Sequence, residues 1–361
     1  MSYSKTDVYS GWKVAHHRER LDALKKGRLI FPTQVQIDPI NACNHNCLYC
    51  FYRGEMAVTQ KINLNELFNK SQIMPTERTL ELIKEFKECG VNAVPITGGG
   101  EPTLHPDFLE ILKNVLKNKL ETSLITNGSL LTDEMIKALH DKQVKWIRFS
   151  MDAFYKKTYQ KLQQPVRKNE YETVVDNLRK VIKNKYTETI LGVSFVINPF
   201  NWNEVVKFTK FARDIGCDNV RISLAYTHLK DKLHMPYWEK IQPLFMEAKK
   251  LETKDFRVFI MKERFQDLAL QKKTYDVCYF QHFSTCVGAD MNLYPCCALK
   301  YSKYAVLGNL MKHSFKEIWL GEQRIKWLER KATSCPNCWF DRPNEFIEYL
   351  LLDNPPHKNF I

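Results

Sequence analysis

Three cysteines lie within eight residues, in the run Asn41-Ala42-Cys43-Asn44-His45-Asn46-Cys47-Leu48-Tyr49-Cys50. The C-x3-C-x2-C spacing lets one short loop set three thiolates around one corner of an iron–sulfur cubane. Three ligands leave the fourth iron open, and an open iron can bind a substrate or cofactor. A structural zinc site would want four ligands. His45 would have to supply the fourth, from inside the loop and with awkward geometry.

Six more cysteines fall in the last quarter of the chain: Cys278, Cys286, Cys296, Cys297, Cys335 and Cys338. Cys89 and Cys217 stand between the two groups. Each ends a predicted helix, on the side away from the chemistry, and reads as structural. The first residues are polar and charged, with no apolar stretch of signal-peptide type. A cytoplasmic location is therefore expected, where cysteines in such numbers point to metal or redox chemistry rather than disulfides. No apolar run approaches the roughly 20 residues of a membrane span. A four-cysteine zinc site is the competing reading of the second set.

The elements that must position these thiols follow from the hydrophobic pattern. Hydrophobic content is 44% and aromatic content 12%, enough for a sizeable core. Residues 1–34 read as a leading helix with a loose apolar stripe, and a short strand begins at Val35. Strands are predicted at 93–97, 121–126, 146–150, 190–197 and 220–224. Helices are predicted at 76–89, 107–118, 132–140, 170–184, 202–215 and 237–250. Strands alternating with amphipathic helices argue for a parallel sheet with crossover helices. Six such units fit between residues 35 and 225, too few for a closed eight-strand barrel. The expected fold is α/β, a partial (β/α)6 barrel followed by a small cysteine-rich domain. In such folds chemistry gathers at the carboxyl ends of the strands. The strand at 93–97 ends in Thr97-Gly98-Gly99-Gly100-Glu101-Pro102, and the strand at 146–150 runs into Ser150-Met151-Asp152. Taken alone, the glycine run is any tight turn or anion loop, and Asp152 is a helix N-cap.

With the cysteines, these motifs resemble the radical S-adenosylmethionine (SAM) superfamily, whose signature is C-x3-C-x-Φ-C with an aromatic Φ, here Tyr49. The resemblance implies that Cys43, Cys47 and Cys50 hold a [4Fe–4S] cluster. SAM would bind its open iron and be cleaved reductively to methionine and a 5′-deoxyadenosyl radical, which takes a hydrogen atom from the substrate. Gly98, Gly99, Gly100 and Glu101 would then face the SAM amino group, glycine allowing close backbone approach. Ser150 and Asp152 would contact the carboxylate and ribose. Ser194 and Asn198 would face SAM, and Ile222, with Arg221, would lie near adenine, mostly through backbone. His105 reads as structural.

The second set resembles the SPASM and twitch extensions of this superfamily: C-x9–15-G-x4-C, a later Gly308-Asn309, a Phe315-x-x-Ile318-Trp319 helix, and a C-x2-C. Met291 stands at the pattern's glycine position, which puts the tightness of that turn in question. The resemblance implies one auxiliary [4Fe–4S] cluster on Cys278, Cys296, Cys335 and Cys338, with Cys286 or Cys297 as alternative ligands. Fully ligated, it would relay or accept electrons. Cys286 and Cys297 are then candidate hydrogen-atom donors; the plainer alternative is buried small hydrophobes.

The divisions expected are 1–34, an N-terminal helical extension; 35–225, the barrel; 226–277, a connecting segment; 278–345, the auxiliary domain; and 346–361, a tail. The formal charge is +13, spread along the chain as a Lys-rich solvated surface. A nucleic-acid partner is not expected, and an anionic substrate is favoured. The expected function is hydrogen abstraction from a small polar molecule, such as a sugar, aminocyclitol or nucleotide. The alternative is epimerisation or crosslinking of a ribosomal peptide. Only about 34 residues precede the first strand, few for the peptide-binding domain such enzymes often carry. A reducing partner such as flavodoxin or ferredoxin is implied.

Overall fold

A computed structural model describes residues 8–52, 54, 65–225, 238–261, 273, 275–335, 338 and 340–355. One sheet of ten strands carries the architecture, in the order β10-β9-β8-β1-β2-β3-β4-β5-β6-β7. Its strands are β1 (Gln34–Ile37), β2 (Ala93–Ile96), β3 (Glu121–Thr126), β4 (Val144–Ser150), β5 (Ile190–Ile197), β6 (Asn219–Leu224), β7 (Arg257–Ile260), β8 (Ser284–Val287), β9 (Asn292–Tyr294) and β10 (Gly308–Asn309). The six expected strands are present as β1–β6. Two more extend the wall: β7 pairs with β6 and β8 with β1, both parallel. Of these strands only β9 is reversed, pairing antiparallel with both β8 and β10. The cysteine-rich segment is thus joined to the barrel by the hydrogen bonds of one continuous sheet.

The helices are α1 (Arg18–Lys25), α2 (Thr76–Glu88), α3 (Phe108–Lys117), α4 (Asp133–Ala138), α5 (Lys156–Gln163), α6 (Glu170–Asn184), α7 (Val205–Ile215), α8 (Trp238–Lys249), α9 (Phe315–Leu320), α10 (Glu322–Leu328) and α11 (Asp341–Leu351). Those expected at 76–89, 107–118, 132–140, 170–184, 202–215 and 237–250 form as α2, α3, α4, α6, α7 and α8, whereas α5, α10 and α11 are not among the expected helices. In α3 the residues Phe108, Ile111, Leu112 and Val115 form one stripe, all buried against the sheet. Thr132 caps α4 by accepting from the Met135 amide at 3.2 Å. Gly216 ends α7 at φ 102°, a left-handed turn that favours glycine.

Along β4–β6 side chains alternate between two environments. Ile147, Phe149, Val193, Phe195, Val220 and Ile222 pack in the core beneath the helices. Arg148, Ser150, Ser194 and Arg221 point to the barrel interior, where they line a cavity. This alternation decides which of the predicted residues can reach a ligand.

Two regions differ from the pattern-based reading. The leading segment is a short 3-10 turn, Gly11–His16, followed by α1, with residues 1–7 outside the described set. Helix α11 crosses the expected boundary at 345/346, and only the end of the expected tail, 356–361, lies outside the described residues. The two ends of the chain share a small core of Val14, Leu21, Ile30, Phe283 and Ile347. The stripe of α1 is therefore buried by α11, a partner distant in sequence. Among the described residues, no helix is long and apolar enough to cross a membrane.

Candidate active site

The cysteine loop follows β1 and is held from two sides. From the glycine run, Gly100 N donates to Ile40 O at 3.1 Å and Glu101 N to Ala42 O at 2.9 Å. From α5, Gln163 O accepts from Asn46 N and Leu162 O from Leu48 N, both at 3.0 Å. A Cβ on Gly100 would stand 1.8 Å from Ala42 O, and one on Gly99 2.1 Å from Asn41 Oδ1. The glycines are thus required by the approach of this turn to the cysteine loop, a packing reason beside the expected one of access for SAM.

Cys43, Cys47 and Cys50 are partly exposed and form no disulfide. All three line one cavity of about 290 Å³ with Tyr49, Gly98–Gly100, Glu101, Ser150, Asp152 and Ser194. His45 N points at Cys43 Sγ, 3.4 Å away. Backbone amides turned toward cysteine sulfurs suit iron–sulfur ligation, where they stabilise thiolate charge. His45 itself is buried, with Nδ1 3.0 Å from Gln163 Oε1 and Nε2 3.4 Å from Glu170 Oε1. Its ring is tied to α5 and α6, so it serves the loop's framework. The donor set therefore fits a three-thiolate cluster with an open iron.

Two buried carboxyls close the cavity wall. Glu101 Oε1 accepts from Thr103 Oγ1 and Thr126 Oγ1, both at 2.6 Å, and Oε2 from Asn127 N at 2.7 Å. Asp152 sits at φ 54°, so it does not cap a helix in the ordinary way. It accepts from Tyr49 Oη at 2.7 Å, Val196 N at 2.7 Å and Ser194 Oγ at 3.3 Å. Burial raises both carboxyl pKa values above normal, and these hydrogen bonds oppose the rise.

The side chains of two expected SAM-facing residues are engaged away from the cavity. Ile222 packs in the core because β6 turns every second side chain outward. Its neighbour Arg221 lines the cavity instead. Asn198 is absorbed in the turn after β5, its Oδ1 accepting from Phe200 N at 3.0 Å and its amide donating to Val196 O at 3.2 Å. His105 is structural: Asp107 N donates to its Nδ1 at 3.1 Å, so Nε2 carries the proton to Met74 O at 2.9 Å. Sequence reading missed Arg148, Gln163 and Asn127, all on the cavity wall. The available signal for Arg148 was its place two residues before Ser150, hence on the same face of β4.

The C-terminal cysteines sort by neighbourhood. Burial raises the Cys278 thiol to about 11 and Cys338 to about 12, and Cys338 feels the charge of Cys278. Cys335 acts on Cys278, and Cys296 stands between the two groups, feeling Cys297, Cys338, Cys286 and Cys278. Phe340 N donates to Cys338 Sγ at 3.3 Å. Cys286 faces other groups: Lys300, Cys297, Asp38 and Asp290. It is fully buried in β8, and neither it nor Cys297 lines the cavity. Tyr52, which does line it, feels Cys50 together with Cys286 and Cys297. Direct hydrogen-atom donation from Cys286 or Cys297 into this cavity is thus not what the geometry offers. Met291 takes the glycine position at φ 61°, and the turn stays tight, with Met291 N donating to Gly288 O at 2.9 Å.

A family model for the radical SAM superfamily matches residues 37–212, and one for SPASM, an iron–sulfur cluster-binding domain, matches residues 278–339. The chain belongs to the radical SAM superfamily. Membership of this superfamily with a SPASM domain brings a SAM-binding [4Fe–4S] cluster and an auxiliary cluster. A probable GTP 3′,8-cyclase of Methanocaldococcus jannaschii is 26% identical over 230 residues, 64% of this chain and 70% of that protein. A namesake in Saccharolobus islandicus is 28% identical over 194 residues, 52% of this chain and only 55% of that protein. SuiB of Streptococcus suis, solved with S-adenosylmethionine bound, superposes at TM-score 0.63 with 16% identity, covering 88% of this chain and 73% of SuiB. Native anSMEcpe with bound SAM gives 0.59 at 19% identity, covering 82% and 83%. These two structures are alike in fold.

Proposed function

We propose that this radical SAM enzyme abstracts a hydrogen atom from a small anionic molecule of the sugar, aminocyclitol or nucleotide type. The carrying observation is the charge of the cavity wall. Arg148 and Arg221 both line it, while its carboxyls, Glu101 and Asp152, are raised in pKa and committed to protein donors. Arg148 also acts on Asp152, and the two guanidiniums together make a basic wall suited to anionic groups, the SAM carboxylate and a negatively charged substrate. The names of the archaeal relatives, nucleotide cyclases, support the same class.

Bound cluster and SAM supply a carbon radical for hydrogen abstraction. The chain's residues position and enclose that chemistry. Cys43, Cys47 and Cys50 would hold the iron, and Gly98–Glu101 would meet the SAM amino group. Ser150 and Asp152 would take its carboxylate and ribose, Asp152 being oriented by Tyr49 and Ser194. Cys278, Cys296, Cys335 and Cys338 would hold the auxiliary cluster, as an electron relay or acceptor.

A second reading, modification of a ribosomal peptide, has support from SuiB, whose structure is also known with the precursor peptide SuiA. The test is anaerobic turnover with deuterated nucleotides, sugar phosphates and peptides, reading deuterium in 5′-deoxyadenosine. Label from an anionic small molecule, with KM raised at least tenfold in Arg221→Gln, supports the proposal. Label from peptides alone overturns it.

A further inference from the structure

The segment that clamps the outer side of the cysteine loop is built as a surface for another macromolecule. Helix α5 and the turn after it run alongside the loop: Val166 N donates to Asn44 O at 3.1 Å, and His45 bridges Pro165. Asn46, between Cys43 and Cys47, is exposed and donates through its side chain to Gln164 Oε1 at 3.0 Å. This strip is therefore outer surface continuous with the loop that would hold the cluster.

Its chemistry is one-sided. Residues 154–169 hold five basic side chains, Lys156, Lys157, Lys161, Arg167 and Lys168, and no acidic one. Lys156 is paired with Glu172 at 2.6 Å. The other four are exposed and have no carboxylate partner among the described residues. Lys207 extends the basic surface over the Tyr155 ring, 5.0 Å from its centroid. Apolar groups stand exposed within this charge: Val166 at 80% and Phe200 at 41%, with the Lys161 ammonium 3.6 Å from the Phe200 ring centroid. An apolar centre in a ring of unpaired like charge is the form of an interface for a partner of opposite charge.

We propose that this strip, centred on Val166 and ringed by Lys157, Lys161, Arg167 and Lys168, docks an acidic one-electron carrier protein of the flavodoxin or ferredoxin kind. The step is a single electron transfer. An anionic flavodoxin hydroquinone gives up one electron and becomes the neutral semiquinone with no proton released, and the [4Fe–4S]²⁺ cluster takes that electron and becomes [4Fe–4S]⁺. The strip's part is to place the donor beside the loop and to steer its approach.

The test uses the reconstituted holoenzyme without substrate, so it does not depend on what the enzyme acts on. The triple variant Lys161→Glu, Arg167→Glu, Lys168→Glu is compared with a control, Lys113→Glu, Lys117→Glu, Lys119→Glu, on exposed sites in the second half of α3 and just beyond it. Both change net charge equally. Two readouts are taken at low salt: the Kd of oxidised flavodoxin, and the rate of cluster reduction by flavodoxin hydroquinone. The first triple is expected to weaken binding and slow reduction at least tenfold, the control less than twofold. Iron content and reduction by dithionite should match wild type. A milder triple with Gln at the same positions gives an intermediate loss if the Glu variant incorporates iron poorly. An unchanged flavodoxin rate overturns the proposal, and so does an equal loss in both Glu triples, which would mean steering by net charge alone.

Discussion

Tyr49 Oη donates to Asp152 Oδ2 at 2.7 Å, tying the cysteine loop to the end of β4 across 103 residues. The aromatic position of the cysteine signature thereby orients a carboxylate on the opposite wall of the cavity. Tyr49 is itself buried, and burial beside Asp152 raises its pKa well above normal, so it remains a donor at every working pH.

Tyr49→Phe removes that donor and should cost about 1.5–3 kcal/mol, the range for a hydrogen bond to a charged group. It also sharpens a pH effect. Asp152 has a folded pKa above its usual 3.8 because burial outweighs its hydrogen bonds. A carboxyl raised on folding favours the folded state most when protonated, so this contribution is lost as pH rises from about 4 through the folded pKa. Losing the tyrosine donor raises that pKa further and widens the window. Urea midpoints at pH 5 and pH 8 should fall further apart in Tyr49→Phe than in wild type, and closer together in Asp152→Asn.

Gly100→Ala should disable the cluster loop while leaving the barrel folded. The added Cβ meets Ala42 O at 1.8 Å, and backbone on both sides must shift. Iron incorporation should drop by about half, the share of one of two four-iron clusters, with helical circular dichroism retained. Gly90→Ala is the contrast: its Cβ meets nothing, and its φ of 75° costs about 1 kcal/mol of stability without loss of iron.

Cys335→Ala should lower the iron count from about eight to about four per chain while leaving SAM binding intact. Cys286→Ala should leave the count unchanged, since Cys286 is fully buried in β8 facing Lys300 and Asp38 and, though it acts on Cys296, is not among the groups acting on Cys278 and Cys338. Iron and sulfide analysis after anaerobic reconstitution reads both. Loss of four irons in Cys286→Ala would reassign the ligand set.

Lys300 and Asp38 form a buried ion pair between the cysteine-rich segment and the end of β1, both nearly inaccessible. Gln36 Nε2 donates to the same carboxylate at 3.1 Å and Tyr301 Oη at 3.4 Å. Lys300→Met strands the charge of Asp38 and should destabilise by about 3–5 kcal/mol. The double variant Lys300→Met, Asp38→Asn should recover much of that loss, because no isolated charge then remains. Denaturant midpoints of the four proteins in the cycle measure the coupling.

Chemistry and local structure were legible in the sequence where they depend on near neighbours. The three cysteines, the glycine run, the stripe of α3, the Thr132 cap and the Gly216 stop each involve residues a few positions apart, and spacing alone carries them. Tertiary structure decided everything that depends on which face meets which. Arg221 and Ile222 are adjacent in sequence, and only the direction of β6 shows that the arginine enters the cavity and the isoleucine the core. Helix α11 found its partner in α1, more than 300 residues earlier, through a core no local pattern displays. The cysteine-rich segment read as a separate unit, yet β8 hydrogen-bonds to β1 and makes one wall of both. Cluster ligands announce themselves by composition because iron selects sulfur. The surroundings of the radical are set by strand register and long-range burial, and those exist only in the folded chain.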